Sequence, residues 1–128
     1  MPLEIQIQQN LGGQKTGAVT VKLTGSLDTT TAPELERRLS PVLAGPVKDL
    51  VFDLAELKFL LSDGFREFMK ARNRLKQRGG QLAFVNLQPQ IKEVFEVFGS
   101  LPRQAIFESQ AELDAYLTTR QRSYEKSN

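Results

Sequence analysis

Leu50-Val51-Phe52-Asp53-Leu54-Ala55-Glu56-Leu57-Lys58-Phe59-Leu60-Leu61-Ser62-Asp63-Gly64-Phe65 decides the fold. Leu50 to Leu54 is a short, nearly continuous apolar run, as expected of a central strand covered on at least one face. Beyond the run, Phe65, Phe68, Met69 and Leu75 fall on one helical stripe. The stretch therefore leaves a sheet and enters a helix. At the junction sit Ser62, Asp63 and Gly64: a hydroxyl, a carboxylate and a residue with no side chain. Such a junction is the natural working end of a small domain, because a helix start points unpaired N–H groups at the loop.

The same alternation of strand and helix extends in both directions. Upstream, Leu3, Ile5 and Ile7 alternate with polar residues, and so do Val19, Val21 and Leu23. Gly12-Gly13 and Gly17 lie between the two runs, which predicts a hairpin, and Gly25 is expected to end the second strand. Thr31 and Glu34 have capping-box spacing, with Pro33 in the first turn of the helix they would start. Leu35, Leu39, Val42 and Leu43 keep a helical period. Pro41 removes the bond to the Arg37 carbonyl, so a kink or early stop is expected near Ser40. Downstream, Gly79-Gly80 stops the central helix, Leu82 to Val85 forms a strand, and Pro89 opens a helix with Ile91, Val94, Phe95 and Phe98 on one face. Ala105 to Phe107 reads as a short last strand. Ser109 and Glu112 repeat the capping box before a final helix carrying Leu113, Tyr116 and Leu117.

Composition narrows the chemistry. With 128 residues, 40% apolar and 25% charged, the chain is one globular domain. It has no cysteine, which removes disulfides and thiol chemistry, and no histidine, which removes the commonest general base and metal ligand. A net charge of +2 gives no argument for nucleic acid. No apolar run has the length of a membrane span, and the N-terminus lacks the pattern of a signal peptide, so a cytoplasmic protein is expected. No Gly-x-x-x-x-Gly-Lys loop suggests a nucleotide site, and no cofactor is expected.

The junction residues admit two readings each. Ser62 is either an N-cap, with Asp63 a favourable first-turn acid, or an exposed acceptor for a phosphate that backbone donors would meet. Gly64 permits the close approach of a backbone or a ligand. Phe59, Leu60 and Leu61 either seal the sheet end or form a docking patch. Arg66, Lys70 and Arg74 recur every four residues on a helix that also carries Arg72, Lys76 and Arg78, with Glu67 as its acid. That face either docks an acidic partner or is simply solvated. Asp53 is expected to cap the end of its strand.

With the junction and the element order in hand, the sequence resembles the STAS family of anti-sigma-factor antagonists. Three stretches carry the resemblance: Leu23-Thr24-Gly25-Ser26-Leu27-Asp28; Val51-Phe52-Asp53-Leu54 with Phe59 to Phe65; and Arg78-Gly79-Gly80-Gln81-Leu82 through Val85-Asn86-Leu87, then Val94 to Gly99. Together they span most of Leu3 to Leu117. The resemblance implies a partner switch. An anti-sigma factor that is also a serine kinase phosphorylates a loop serine, the modified protein lets go, and a PP2C-type phosphatase resets it. Matching the family loop Asp-Ser-Ser/Thr-Gly puts Ser62 at the modified serine, Gly64 at the glycine and Asp28 on the acidic residue of the neighbouring turn. Two positions depart: Leu61 stands where the family has aspartate, and Asp63 where it has serine or threonine.

The expected fold is therefore α/β: a single STAS-like domain over residues 1–120, a four- to five-stranded mixed sheet with about four helices mainly on one face, and a polar tail over 121–128. The expected function is regulation by protein binding rather than catalysis. Ser62 is the switch, and Asp28, Leu61, Ser62, Asp63, Gly64 and Arg66 form the partner surface. No direct contact with nucleic acid is expected. The alternatives are a STAS adaptor without a phosphoswitch, acting as a scaffold in a signalling or lipid-transport complex, and a small nucleotide-binding protein or enzyme.

Overall fold

The computed structural model describes residues 2–9, 18–98, 106–107, 111–112 and 115. Strands β1 (Leu3–Gln9) and β2 (Val19–Leu27) pair antiparallel, with Ile5 opposite Leu23. Helix α1 (Ala32–Ala44) leads to β3 (Asp49–Leu60), helix α2 (Ser62–Lys76) to β4 (Gln81–Val85), and helix α3 (Pro89–Phe98) to β5 (Ile106–Phe107). The five strands lie in sequence order, and every pair after the first is parallel. This is the mixed sheet with an antiparallel edge that the sequence predicts. The hairpin turn at Gly12-Gly13, Gly99, Ala105 and the tail lie outside the described residues. So does the fourth helix, apart from Ala111, Glu112 and Ala115, which are helical.

The three helices share one face of the sheet and one core. Leu35, Leu39 and Leu43 of α1, Phe65, Phe68, Ala71 and Leu75 of α2, and Ile91 and Phe95 of α3 join Leu50, Phe52 and Leu54 of β3 and Phe84 of β4 in one buried cluster. Val51, Ala83 and Val85, which alternate with these on β3 and β4, are buried as well. Burial of both sets explains why the two strands read as continuous apolar runs. Phe68 is the hub of the aromatic part. Its ring centroid lies 4.7 Å from Phe52, 5.1 Å from Phe84 and 6.2 Å from Phe95, while Phe84 and Phe95 meet edge to face at 4.8 Å.

Several boundaries differ from the sequence reading. β3 does not stop at Leu54 but runs to Leu60, and β2 passes through Gly25 to Leu27. Lys22 faces Asp53, Thr24 faces Glu56, and Ser26 faces Phe59, so β3 carries one extra residue at each of two bulges. The bulges reset the inward face from every second residue to Leu54, Leu57 and Leu60, all buried. Asp53 does not cap a strand end. Its Oδ1 accepts the Ala55 N–H at 3.1 Å inside the first bulge and the Asn86 amide at 3.3 Å. Gln88 Nε2 donates to the carbonyls of Ala55 (2.7 Å) and Leu57 (3.1 Å), so the β4–α3 loop holds the bulged segment in place. Gly25 has φ +107°, and a Cβ there would lie 2.2 Å from the Pro2 carbonyl oxygen, so this glycine lets the Pro2 backbone lie close against β2.

Helix α1 does not make the early stop that is one of the two expectations near Ser40. It continues through Pro41 to Ala44, because Leu39 and Leu43 are buried on either side of the exposed proline. Thr31 is its N-cap, but the Thr31 side chain makes no capping bond. Glu34 pairs with Arg37 instead of closing a capping box. At the far end, the Arg78 guanidinium donates to the carbonyls of Gly45 (2.7 Å) and Leu43, which ties the end of α2 to the end of α1.

The hub position predicts a graded cost. Phe68→Ala should lower the stability to urea by about 3–5 kcal/mol, with Phe68→Leu well below that, because the cavity left behind scales the loss. Equal losses for the two variants in urea unfolding would show that Phe68 is not the centre of the packing.

Candidate functional site

The C-terminal ends of β2 and β3 lie side by side, with Leu27 opposite Leu60. The turn after β2 begins at Asp28, and the turn after β3 begins at Leu61. The Leu61 N–H donates to the Leu27 carbonyl at 3.0 Å, which stitches the two turns together. Leu61 then caps α2 through its backbone. Its carbonyl accepts from the Gly64 and Phe65 N–H groups at 3.0 and 3.1 Å, and no side chain caps the helix. Ser62 is therefore the first helical residue rather than the N-cap, and its side chain is exposed. Its hydroxyl has no structural duty at the helix start.

Gly64 faces the other way. A Cβ at this position would lie 2.4 Å from Leu27 Cγ and 3.0 Å from Leu60 Cδ1. The close approach it allows is internal: the first turn of α2 lies flush on the two leucines that end β2 and β3. Gly64 is buried, so it shapes the site from beneath rather than offering a surface to a partner.

The apolar residues before the loop divide by position. Leu60 is buried and seals the sheet end, whereas Phe59 is 49% exposed and Leu61 41% exposed. The second bulge is what turns Phe59 outward. Leu60 thus seals the sheet end, while Phe59 and Leu61 present apolar surface beside the loop.

The charged residues of the site are already partnered. Asp28 Oδ1 accepts the Thr30 hydroxyl at 2.8 Å and the Thr30 and Thr31 N–H groups at 3.0 and 3.2 Å. These bonds, the Thr30 hydroxyl first, hold the Asp28 carboxyl below the usual aspartate range. Asp28 thus organises the turn into α1, the task the capping box was expected to perform. Asp63 Oδ1 accepts from Arg66 Nη1 at 2.9 Å. Lys70 Nζ bridges Glu36 of α1 (3.0 Å) and Glu67 of α2 (3.2 Å). Burial pushes the Glu67 carboxyl up, while the Lys70 bond holds Glu36 down. Two cations of the basic stripe, Arg66 and Lys70, are matched by the protein's own acids, and Arg78, just past the end of α2, is turned onto backbone carbonyls. Thr29, Pro33, Asp63, Arg66 and Lys70 line one shallow groove between the starts of α1 and α2. The structure thus gathers Asp28, Leu61, Ser62, Asp63 and Arg66 at one edge, with Gly64 below them. The residues that sequence reasoning missed are Thr30, whose bonds to Asp28 two residues before have the local Asx-turn pattern that could have found it, and Asn86 and Gln88, whose partners lie more than 30 residues away.

Comparison with known proteins meets this geometry. The chain matches the model of the STAS domain over residues 11–113. The chain belongs to the STAS domain family. It is 31% identical over 85 residues to BtrV of Bordetella bronchiseptica, provisionally named an anti-sigma factor antagonist; the match covers 66% of this chain and 73% of that one. The fold superposes on the anti-sigma factor antagonist SpoIIAA in its unphosphorylated form with a TM-score of 0.77, at 18% identity, over 91% of this chain and 97% of that one. For the phosphorylated form of the Bacillus protein SpoIIAA the TM-score is 0.70, at 19% identity, over 89% and 99%. Among the described residues, no helix of this STAS domain is long and apolar enough to cross a membrane.

The Gly64 contact gives a direct test. Gly64→Ala should cost about 1–3 kcal/mol through overpacking against Leu27 and Leu60. Leu27→Ala should relieve part of that loss in the double variant, read by denaturant midpoints. Strict additivity of the two changes would rule out the contact.

Proposed function

We propose that this STAS domain is an anti-sigma-factor antagonist that works as a partner switch controlled at Ser62. Unmodified, it binds an anti-sigma factor that is also a serine kinase. The kinase transfers the γ-phosphoryl group of ATP to Ser62 Oγ. An O–P bond forms, the bond to ADP breaks, and the hydroxyl proton passes to the kinase. The modified domain releases its partner, and a PP2C-type phosphatase hydrolyses the phosphoester with water to restore the hydroxyl. The setting of this cycle is the cytoplasm. The domain is a substrate in it and not an enzyme.

One observation carries this reading: the Ser62 hydroxyl is exposed at the first residue of a helix that needs no side-chain cap. Phe59 and Leu61 supply exposed apolar area beside it. A docked partner would bury these side chains, and a phosphate adding ~1.5–2 negative charges next to them would oppose that burial. The names of the relatives give the same direction.

A second reading, an adaptor without a phosphoswitch, is favoured by the loop itself. Asp63 already places a carboxylate next to the serine, and Leu61 replaces the acid expected before it.

Capture experiments with wild type, Ser62→Ala and Ser62→Asp separate the two. Wild type and the Ala variant are expected to retain a kinase-like partner that the Asp variant loses. Added ATP should give a single phosphate adduct by intact mass on wild type and none on Ser62→Ala. A partner held equally by all three, with no adduct on wild type, would establish the adaptor.

A further inference from the structure

The ion pair between Asp63 and Arg66 lies on the same exposed helical turn as Ser62. Arg66 is the only cation in residues 62–69, the first two turns of α2. Its side chain is 72% exposed and is held at its tip by a single carboxylate, at 2.9 Å. Ser62 and Arg66 are four residues apart, a spacing that places side chains ~5–6 Å apart at Cβ on one helix face. Asp63 to Arg66 is the alternative spacing of three. One guanidinium is therefore within reach of two neighbours on the same turn.

The other charges near the junction are committed elsewhere. Lys70 is held by Glu36 and Glu67 on the α1 side. Lys58 on β3 lies 3.9 Å from Glu56. Asp28, on the adjoining turn, is occupied by Thr30 and Thr31.

We propose that Arg66 is a shared counter-ion: it pairs with Asp63 while Ser62 is unmodified and moves to the phosphate once Ser62 is phosphorylated, leaving Asp63 unpaired. The inference rests on Ser62 as the modified residue and deepens that reading. A dianionic phosphate with three acceptor oxygens outcompetes a single carboxylate for a guanidinium that can bind it through two N–H groups. Phosphorylation then changes the docking edge twice. It adds charge at position 62, and it exposes a second, unpaired charge at position 63 beside Leu61. The aspartate that departs from the family loop thus acts as part of the switch.

Phosphoserine installed at position 62 during translation tests this without any kinase. The second ionisation of the phosphate, ordinarily near pH ~6, is followed by phosphorus NMR in wild type, Arg66→Gln, Asp63→Asn and the double variant, with unchanged circular dichroism as the folding control. Arg66→Gln is expected to raise that ionisation by about 0.3–0.7 of a pH unit, the size of one exposed ion pair. Asp63→Asn is expected to lower it, and to do so less in the Arg66→Gln background, because part of its effect runs through Arg66. An Arg66→Gln titration that superposes on wild type overturns the transfer. An Asp63→Asn effect of equal size in both backgrounds overturns the sharing. Failure of the capture experiment would remove the partner switch but would leave these titrations unchanged, so the two readings fail separately.

Discussion

Two residues more on β3 than on β2, over the span where the strands pair, set the geometry of the whole edge. A strand that kept its period of two past Leu54 would turn Leu57 outward. The bulges keep Leu54, Leu57 and Leu60 inside and release Phe59 to solvent. Bulges also leave backbone groups without ladder partners, and a buried unpaired carbonyl is costly. Gln88 and Asp53 supply those partners from a loop and from within the strand. The position of Leu61, and so the first turn of α2, follows from this arrangement together with the bond from Leu61 to Leu27.

Electrostatically the edge is quiet. A sequence with Asp28, Asp63 and five basic residues on α2 suggests a strongly charged surface. The structure instead pairs Asp28 with threonines, Asp63 with Arg66, and Lys70 with two glutamates. Beside these pairs the edge presents an exposed serine flanked by apolar side chains. A surface of that kind responds to added charge, because the cation beside the hydroxyl, Arg66, is already engaged by Asp63 and must leave it to meet that charge.

Much of this was legible in the sequence, and the reasons are local. The stripe from Phe65 to Leu75 and the alternation in Leu3 to Ile7 have the periods of a helix and a strand, so element type and order followed directly. The junction is visible because an apolar run gives way to a helical stripe across Ser62-Asp63-Gly64. The bulged half of β3 was not legible. Its spacing of three at Leu54, Leu57 and Leu60 matches no strand template, and its support comes from Gln88, more than 30 residues away. Pro41 is a related case: of the kink or early stop that a local rule predicts, the stop does not occur, and Leu39 and Leu43 are buried on either side of the proline. The inward role of Gly64 was hidden because the nearest atoms in the space a side chain would need belong to Leu27, on a strand far away in sequence.

That inward role divides the loop into two kinds of position. Residue 64 answers to the core, while the side chains at 61, 62 and 66 answer to solvent. The outer positions are free to acquire new chemistry without disturbing the scaffold, and the inner one is not. A cell that keeps several such domains side by side has, in those outer side chains, a place to write a separate address for each and so to keep their signals from crossing.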